Sequence, residues 1–591
     1  MHAVPTEPDD ALPTPTLPPE AVSAARRDLA ALAAAYWDHG LEESPIGCTY
    51  LGLPRGQDRL DERGPAARAR RERALDGLLR RVEAVPPDAL VGEDRLTRQI
   101  LVRSLSADLE ALRRHAWEWD IDQLGGLHLV LQDLGTKHRL VTPADADAWL
   151  SRLAAIPQAI AEWIGDLRSG LASGRVAPRV AYERVLAQVR AFVATPGEAM
   201  PFLAPVARPP AGWSEADHAR ARARTLVAIE SHVRPAYASF LRFLETEYAG
   251  KARSDVGVWA IPGGAEDYAY RVRLHTTTTL SPERIHQIGL EELEKNEREM
   301  LEIARAEGHT GDLRSFFDAI GKDSRFRLAT REAVLERYRA VCARMDRKLP
   351  EAFGMLPPKP YQVIALVAWR EKDAPAAYYQ PPEPDGPRPG IFYANTHDPA
   401  SWPTYDMEAL CYHEAVPGHH LQISIAQTLP GLPEFRRHAG FTAYVEGWAH
   451  YTERLADELG MYSTPYDRLG MLAGQAWRAA RLVVDTGMHA LRWDRSKAVD
   501  VLRRIRSGPE ADVGNEIDRY VMWPGQALAY KIGQRTFTEL RERAKRRLGD
   551  RFRLPAFHDE VLRHGAVPLS LLEDLVRSWD GHGARTPSPA G

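Results

Sequence analysis

Cys411-Tyr412-His413-Glu414-Ala415-Val416-Pro417-Gly418-His419-His420 places three of the chain's 20 histidines and a carboxylate within eight residues. A neutral imidazole is a good ligand for zinc and related ions, and a Glu directly after a His ligand can hold water as a general base. In the usual H-E-x-x-H arrangement two histidines four apart share one helical face. Here the fourth residue after His413 is Pro417, and the next histidines stand six and seven positions on. At 1.5 Å rise per residue a straight helix would set His413 and His420 about 10 Å apart, too far for two bonds of ~2 Å to one ion. Pro417 removes an intrahelical donor and Gly418 tolerates unusual dihedrals, so a kinked or bulged helix is expected, returning His419 or His420 to the ion. Neighbouring helical residues point about 100° apart, so one of the two is a ligand and the other a supporter; the spacing does not say which.

Working outward, a third ligand is needed. The stretch Phe441 to Glu453 supplies one in Glu446, 33 residues after His413. A return helix after a loop with Pro430 and Pro433 fits that separation. Phe441, Tyr444, Trp448, Tyr451 and Leu455 form an apolar stripe, while Glu446, His450 and Glu453 share another face. A face of that kind is ordinarily just solvated. Beside the histidine cluster, Glu446 instead completes a two-His, one-Glu site with a position left for water, Glu414 being the base. His450 remains a supporting residue.

A developing oxyanion needs a donor besides the ion, and His489, Tyr520 and Tyr530 are the candidates. Asp485 and His489 lie four apart in an apolar helix, so the Asp either fixes the imidazole tautomer or forms a surface pair. Arg519-Tyr520 precedes the turn at Trp523 to Gln526 and is placed to present a side chain to a cleft, with Arg519 as a substrate contact. Ile391 to Asn395 would accept an extended substrate, with Asn395 at its end, if it is the edge of the small sheet; an ordinary hairpin is the alternative. His275 is a further substrate contact, and the threonines after it read as helix caps.

The remaining chain is mostly helical in pattern. Apolar residues recur every three or four positions from about Ala21 to Glu247, as at Leu101, Leu105, Leu109 and Leu112. Ser254 to Leu280 reads as a loop with a short strand at Tyr268 to Leu274. Ser281-Pro282-Glu283 starts a long helix to about Ala306. Val363 to Trp369, Ala376 to Tyr379 and Ile391 to Asn395 read as three strands, and after Asp406 helices run almost to Trp579. The expected division is a disordered leader over 1–20, a helical region over 21–250, a catalytic region over 251–580 with its sheet near 360–395 and metal-site helices near 406–460, and a flexible tail over 581–591.

Of 591 residues, 44% are hydrophobic and 27% charged, which excludes collagen-like, coiled-coil and wholly disordered chains. A net charge of −4 gives no global argument for nucleic acid or an anionic membrane, and no partner of either kind is expected. No secretory signal or membrane-length apolar run is evident. Three widely spaced cysteines, Cys48, Cys342 and Cys411, suit a reducing compartment, so the cytoplasm is the expected location. Phosphate-loop, nucleophile-elbow and paired C-x-x-C motifs are missing from the sequence.

His413 to Gln422, together with Glu446-Gly447-Trp448-Ala449, resembles the bacterial domain of unknown function 885 family of zincin-like metallopeptidases. Further blocks carry the likeness: Gly257 to Gly264, His275 to His286, Tyr393 to Asn395, Arg481 to His489, and Arg519-Tyr520 with Pro524 to Gln526. The resemblance spans roughly residues 20 to 575. It implies a mainly α, zincin-like metallopeptidase fold with a small β-sheet beside the metal-binding helix. It also implies a metal-dependent hydrolase; the expected ion is zinc or another divalent transition metal, and the expected substrates are small peptides or peptide-like molecules. Two other readings stay open at this point: a non-peptidase metalloenzyme of secondary metabolism, and a binding protein without catalysis.

Overall fold

The computed structural model describes residues 17–366, 371, 375–384, 386–505 and 510–582. The expected leader up to residue 16, the tail from 583 and the Val367 to Trp369 end of the first strand lie outside the described residues. Of the described residues, 71% are helical and 3% lie in strands. Periodicity explains the helices: Leu101, Leu105 and Leu109 are all buried along Gly92–Arg113. Ser281 accepts the Arg284 backbone N–H and starts Pro282–Ala306, as its sequence predicts.

One local expectation is overturned. Tyr268 to Leu274 is not a strand but part of the helix Gly264–Thr276. Tyr268, Val272 and Thr276 are buried at helical spacing, and that face outweighs the apparent alternation.

The three strands are β1 (Tyr361–Ala365), β2 (Ala377–Gln380) and β3 (Gly390–Ala394). They lie in the order β1-β3-β2, with β3 parallel to β1 and antiparallel to β2. The strand that would pair with a substrate from an edge position is therefore the central one, and its main chain is already paired on both sides. Phe392 and Ala394 are fully buried, which suits an interior strand better than an edge. β2 packs against the helix Met407–Glu414 and so brings the sheet beside the histidine cluster.

Buried apolar residues form two clusters. One runs from Ala25 to Trp119, takes in Ala181 and continues through most of 256–579; the other holds Ile46 and most of the remaining buried apolar residues between Ile121 and Ala252. The amino-terminal region thus lacks a single core of its own, because its first helices pack on the carboxy-terminal half. At the centre Pro465–His489 is buried along most of its length and packs on Pro282–Ala306. The helix Thr442–Glu458 crosses Ala529–Leu548 closely, since a Cβ on Gly447 would sit 2.4 Å from the Gly533 Cα. Among the described residues no helix is long and apolar enough to cross a membrane.

Candidate metal centre

The break expected near Pro417 is a full interruption. Met407–Glu414 stops, residues 415–418 turn, and His419–Thr428 begins. The Val416–Pro417 peptide is cis. Gly418 is required by space: a Cβ there would lie 1.9 Å from the His413 carbonyl oxygen. The helix Thr442–Glu458 braces this turn, with Trp448 Nε1 donating to the Pro417 carbonyl at 2.9 Å and Thr452 Oγ1 donating to the Tyr412 carbonyl at 3.0 Å.

Glu446 Oε2 lies 3.5 Å from His413 Nε2 and 3.5 Å from His419 Nε2. All three ligand atoms fall within 4.8 Å of one another. Ligands ~2.0–2.2 Å from one tetrahedral ion are separated by roughly 3.3–3.6 Å, so the two 3.5 Å spacings to Glu446 fit a shared cation. They are long for hydrogen bonds, and Glu446 Oε2 is a buried oxygen with no hydrogen-bond partner. The donor set and its geometry accommodate a divalent ion.

Behind the trio stands a buried polar chain. His413 Nδ1 pairs with Glu453 Oε1 at 2.9 Å. Glu453 Oε2 accepts from Gln475 Nε2 at 3.1 Å, and the Lys531 ammonium donates to Gln475 Oε1 at 2.8 Å. His450 Nδ1 lies 3.2 Å from Glu453 Oε2, so His450 supports Glu453 rather than the trio. A proton on Nδ1 facing Glu453 leaves the Nε2 lone pair of His413 on the Glu446 side, the tautomer a ligand needs. Glu453 was not singled out as a site residue from sequence. The available signal was its position two turns after Glu446 on the same face. Glu453→Gln is expected to weaken zinc binding by ~10- to 100-fold in competition with a chromophoric chelator, as for other partners that orient a ligand. An unchanged affinity would remove it from the site.

Electrostatics agree with a place prepared for positive charge. Burial alone would lower the His413 pKa, but the Glu446 carboxylate beside its Nε2, the hydrogen-bonded Glu453 and the nearby Glu414 charge raise it to about 9. Burial opposes ionisation of Glu446, yet the two imidazoles hold its carboxyl well below the usual range. Glu414 is buried, and burial pushes its carboxyl upward despite His413 and His419.

The other expected residues divide sharply. His420 is not in the trio: its Nδ1 meets the Tyr379 hydroxyl at 2.9 Å and its Nε2 the Lys359 carbonyl at 2.9 Å, which occupies both nitrogens. His489 is likewise structural, with Nδ1 accepting from the Val258 N–H at 3.0 Å and Nε2 donating to the Tyr520 carbonyl at 3.0 Å. Burial lowers its pKa to about 3. Asp485 does not pair with it; that carboxylate accepts from the Tyr268 hydroxyl and the Gly525 N–H. The Tyr520 hydroxyl donates to Glu516 at 2.6 Å and accepts from Arg481, so it is committed to an ion cluster and is no free oxyanion donor. Arg519 belongs to the same cluster. Tyr530 alone of these stands at the trio, its ring 6.5 Å from that of His413. Asn395 is buried, donates to the Glu371 carbonyl at 2.7 Å and accepts the His397 N–H at 3.0 Å, so its amide is engaged within the chain. His275 lies 3.5 Å from the Thr442 hydroxyl on the wall of a cavity of about 1140 Å³. That cavity approaches the trio only at Thr442, one helical turn before Glu446, and none of the trio lines it.

The family described as a bacterial protein of unknown function, DUF885, matches residues 45–576. A crystal structure from Colwellia psychrerythraea, of a protein provisionally designated a lipoprotein, is similar over 94% of this chain and 99% of its own, with a TM-score of 0.89 and 28% identity. A structure from Shewanella oneidensis, provisionally designated a lipoprotein of unknown function, covers 93% of this chain and 100% of its own at 19% identity and a TM-score of 0.73, a likeness of fold alone. No curated protein matches the chain.

Proposed function

The chain belongs to the DUF885 family of bacterial proteins of unknown function, and on that footing we propose that it is a metal-dependent hydrolase with a zincin-like site, cleaving amide bonds of small peptides or peptide-like molecules. One observation carries the reading: the partnerless Glu446 Oε2 stands 3.5 Å from the Nε2 atoms of both His413 and His419. His413, His419 and Glu446 would hold the ion, and a donor set of two imidazoles and one carboxylate suits zinc. A bound zinc ion supplies Lewis acidity to a substrate carbonyl and lowers the pKa of water.

The chain's residues account for the proton traffic. Glu414 adjoins a ligand, and its raised carboxyl pKa suits a group that takes a proton from water and returns it to the leaving amine. The Tyr530 phenol, raised in pKa mainly by burial and then by Glu446, stays protonated and would donate to the developing oxyanion. Glu453 keeps the His413 ring in its tautomer.

The lipoprotein designation of the Colwellia psychrerythraea relative supports a cell-envelope location as an alternative to the cytoplasm. All three cysteines are free and buried, so their side chains are shielded in either compartment. The function is tested by following metal content and hydrolysis of a mixed di- and tripeptide library through chelation and zinc readdition. The expected result is parallel loss and recovery. Hydrolysis that survives complete metal removal contradicts the reading.

A further inference from the structure

Next to the trio, beyond the Tyr530 ring, lies a buried cluster with more positive than negative charge. The guanidiniums of Arg481 and Arg519 share one carboxylate: Arg481 Nη2 lies 2.7 Å and Arg519 Nη2 2.9 Å from the same Glu516 Oε1. Arg481 Nε donates to the Tyr520 hydroxyl at 2.8 Å, and Arg519 Nη1 donates to Gln526 Oε1 at 3.0 Å. Arg481 is 9% exposed, and its Nη1 is buried without a hydrogen-bond partner. Asp485 does not offset the surplus, because it is engaged by Tyr268 and Gly525 and burial raises its pKa to about 7. One turn earlier on the same helix, Arg478 has a partnerless Nε, and its Nη2 lies 3.8 Å from Glu453. Among the described residues, Glu516 is the one carboxylate bonded to both Arg481 and Arg519. A buried guanidinium with an unused donor is costly unless an anion completes it.

We propose that Arg481, backed by Arg519, is the subsite for a carboxylate of the substrate, making the preferred substrates peptides with a negative charge near the scissile bond. This rests on the hydrolase reading for the identity of the bound molecule as substrate. Arg481 Cζ lies 4.5 Å from the Tyr530 ring centroid, and that ring stands 6.5 Å from His413. One aromatic ring therefore separates the guanidinium from the ion ligands, a gap that at most about three extended residues of ~3.5 Å each would span. The Tyr530 ring lies over one face of the guanidinium. Planar, two-pronged donation is what arginine offers a carboxylate and lysine does not.

Calorimetric titration of the zinc-loaded Glu414→Gln protein tests this without turnover, using three probes: N-acetyl-Ala-Ala-Ala, its carboxy-terminal amide, and N-acetyl-Ala-Asp-Ala amide. The free acid is expected to bind about ten- to a hundredfold more tightly than its amide, the range of a charge-assisted hydrogen bond. Tight binding of the Asp probe as well would assign the subsite to any nearby carboxylate; its absence would assign it to a chain terminus. Arg481→Met should bring the acid-to-amide ratio to within about twofold, with Arg481→Lys between. Because the comparison can be read in protein carrying Arg481, a variant that fails to fold leaves the test intact. Equal affinity for acid and amide, or no measurable affinity for either acid, overturns the proposal even if zinc binds. Preference for the acid in protein that takes up no zinc keeps the anion subsite and removes the metal reading instead.

Discussion

Glu414→Gln is expected to lower peptide hydrolysis by at least ~10²- to 10⁴-fold, the contribution of a positioned general base, while metal content stays at the wild-type level. The substitution preserves shape and removes only the group that can take a proton. Glu414 is buried at the end of Met407–Glu414, adjacent to the ligand His413, and its carboxyl is shifted upward chiefly by burial. It is not one of the three residues whose ligand atoms converge, so metal affinity should be spared. A full rate in this variant would dismiss Glu414 as the base. Loss of metal together with rate would make it a structural neighbour of the ligands.

Gly418→Ala is expected to cost more zinc affinity than removal of an orienting partner, which is ~10- to 100-fold, and to destabilise the fold by ~1–3 kcal/mol. The new methyl would lie 1.9 Å from the His413 carbonyl oxygen and 2.5 Å from the Tyr412 carbonyl oxygen. Both obstacles are backbone, so the turn itself must open. Opening it separates His413, at the end of one helix, from His419, at the start of the next. Gly440→Ala is the control, since nothing lies within 4 Å of its added methyl. Chelator competition and denaturant unfolding of both variants check the pair. Equal behaviour of the two would mean that the turn does not set the distance between the imidazoles.

The helix break was legible because Pro417 and Gly418 interrupt a histidine cluster that a straight helix cannot close on one ion. Glu446 was legible from its place opposite an apolar stripe. The choice between His419 and His420 was not, because it depends on distant groups: the Tyr379 hydroxyl and the Lys359 carbonyl claim His420. His489 looked chemical for want of the same information, since both nitrogens bond to backbone groups at positions 258 and 520. The central place of β3 could not be read from Ile391 to Asn395, because short edge and interior strands of mostly apolar residues look alike until partners are known. Arg481, Arg519 and Glu516 come together from two helices, and no local spacing announces a shared carboxylate.

The most direct measurement is anomalous diffraction above and below the zinc edge from crystals of zinc-loaded protein. The account predicts a peak ~2 Å from His413 Nε2, His419 Nε2 and a Glu446 oxygen. A zinc peak elsewhere, with those three side chains left without it, would contradict the account.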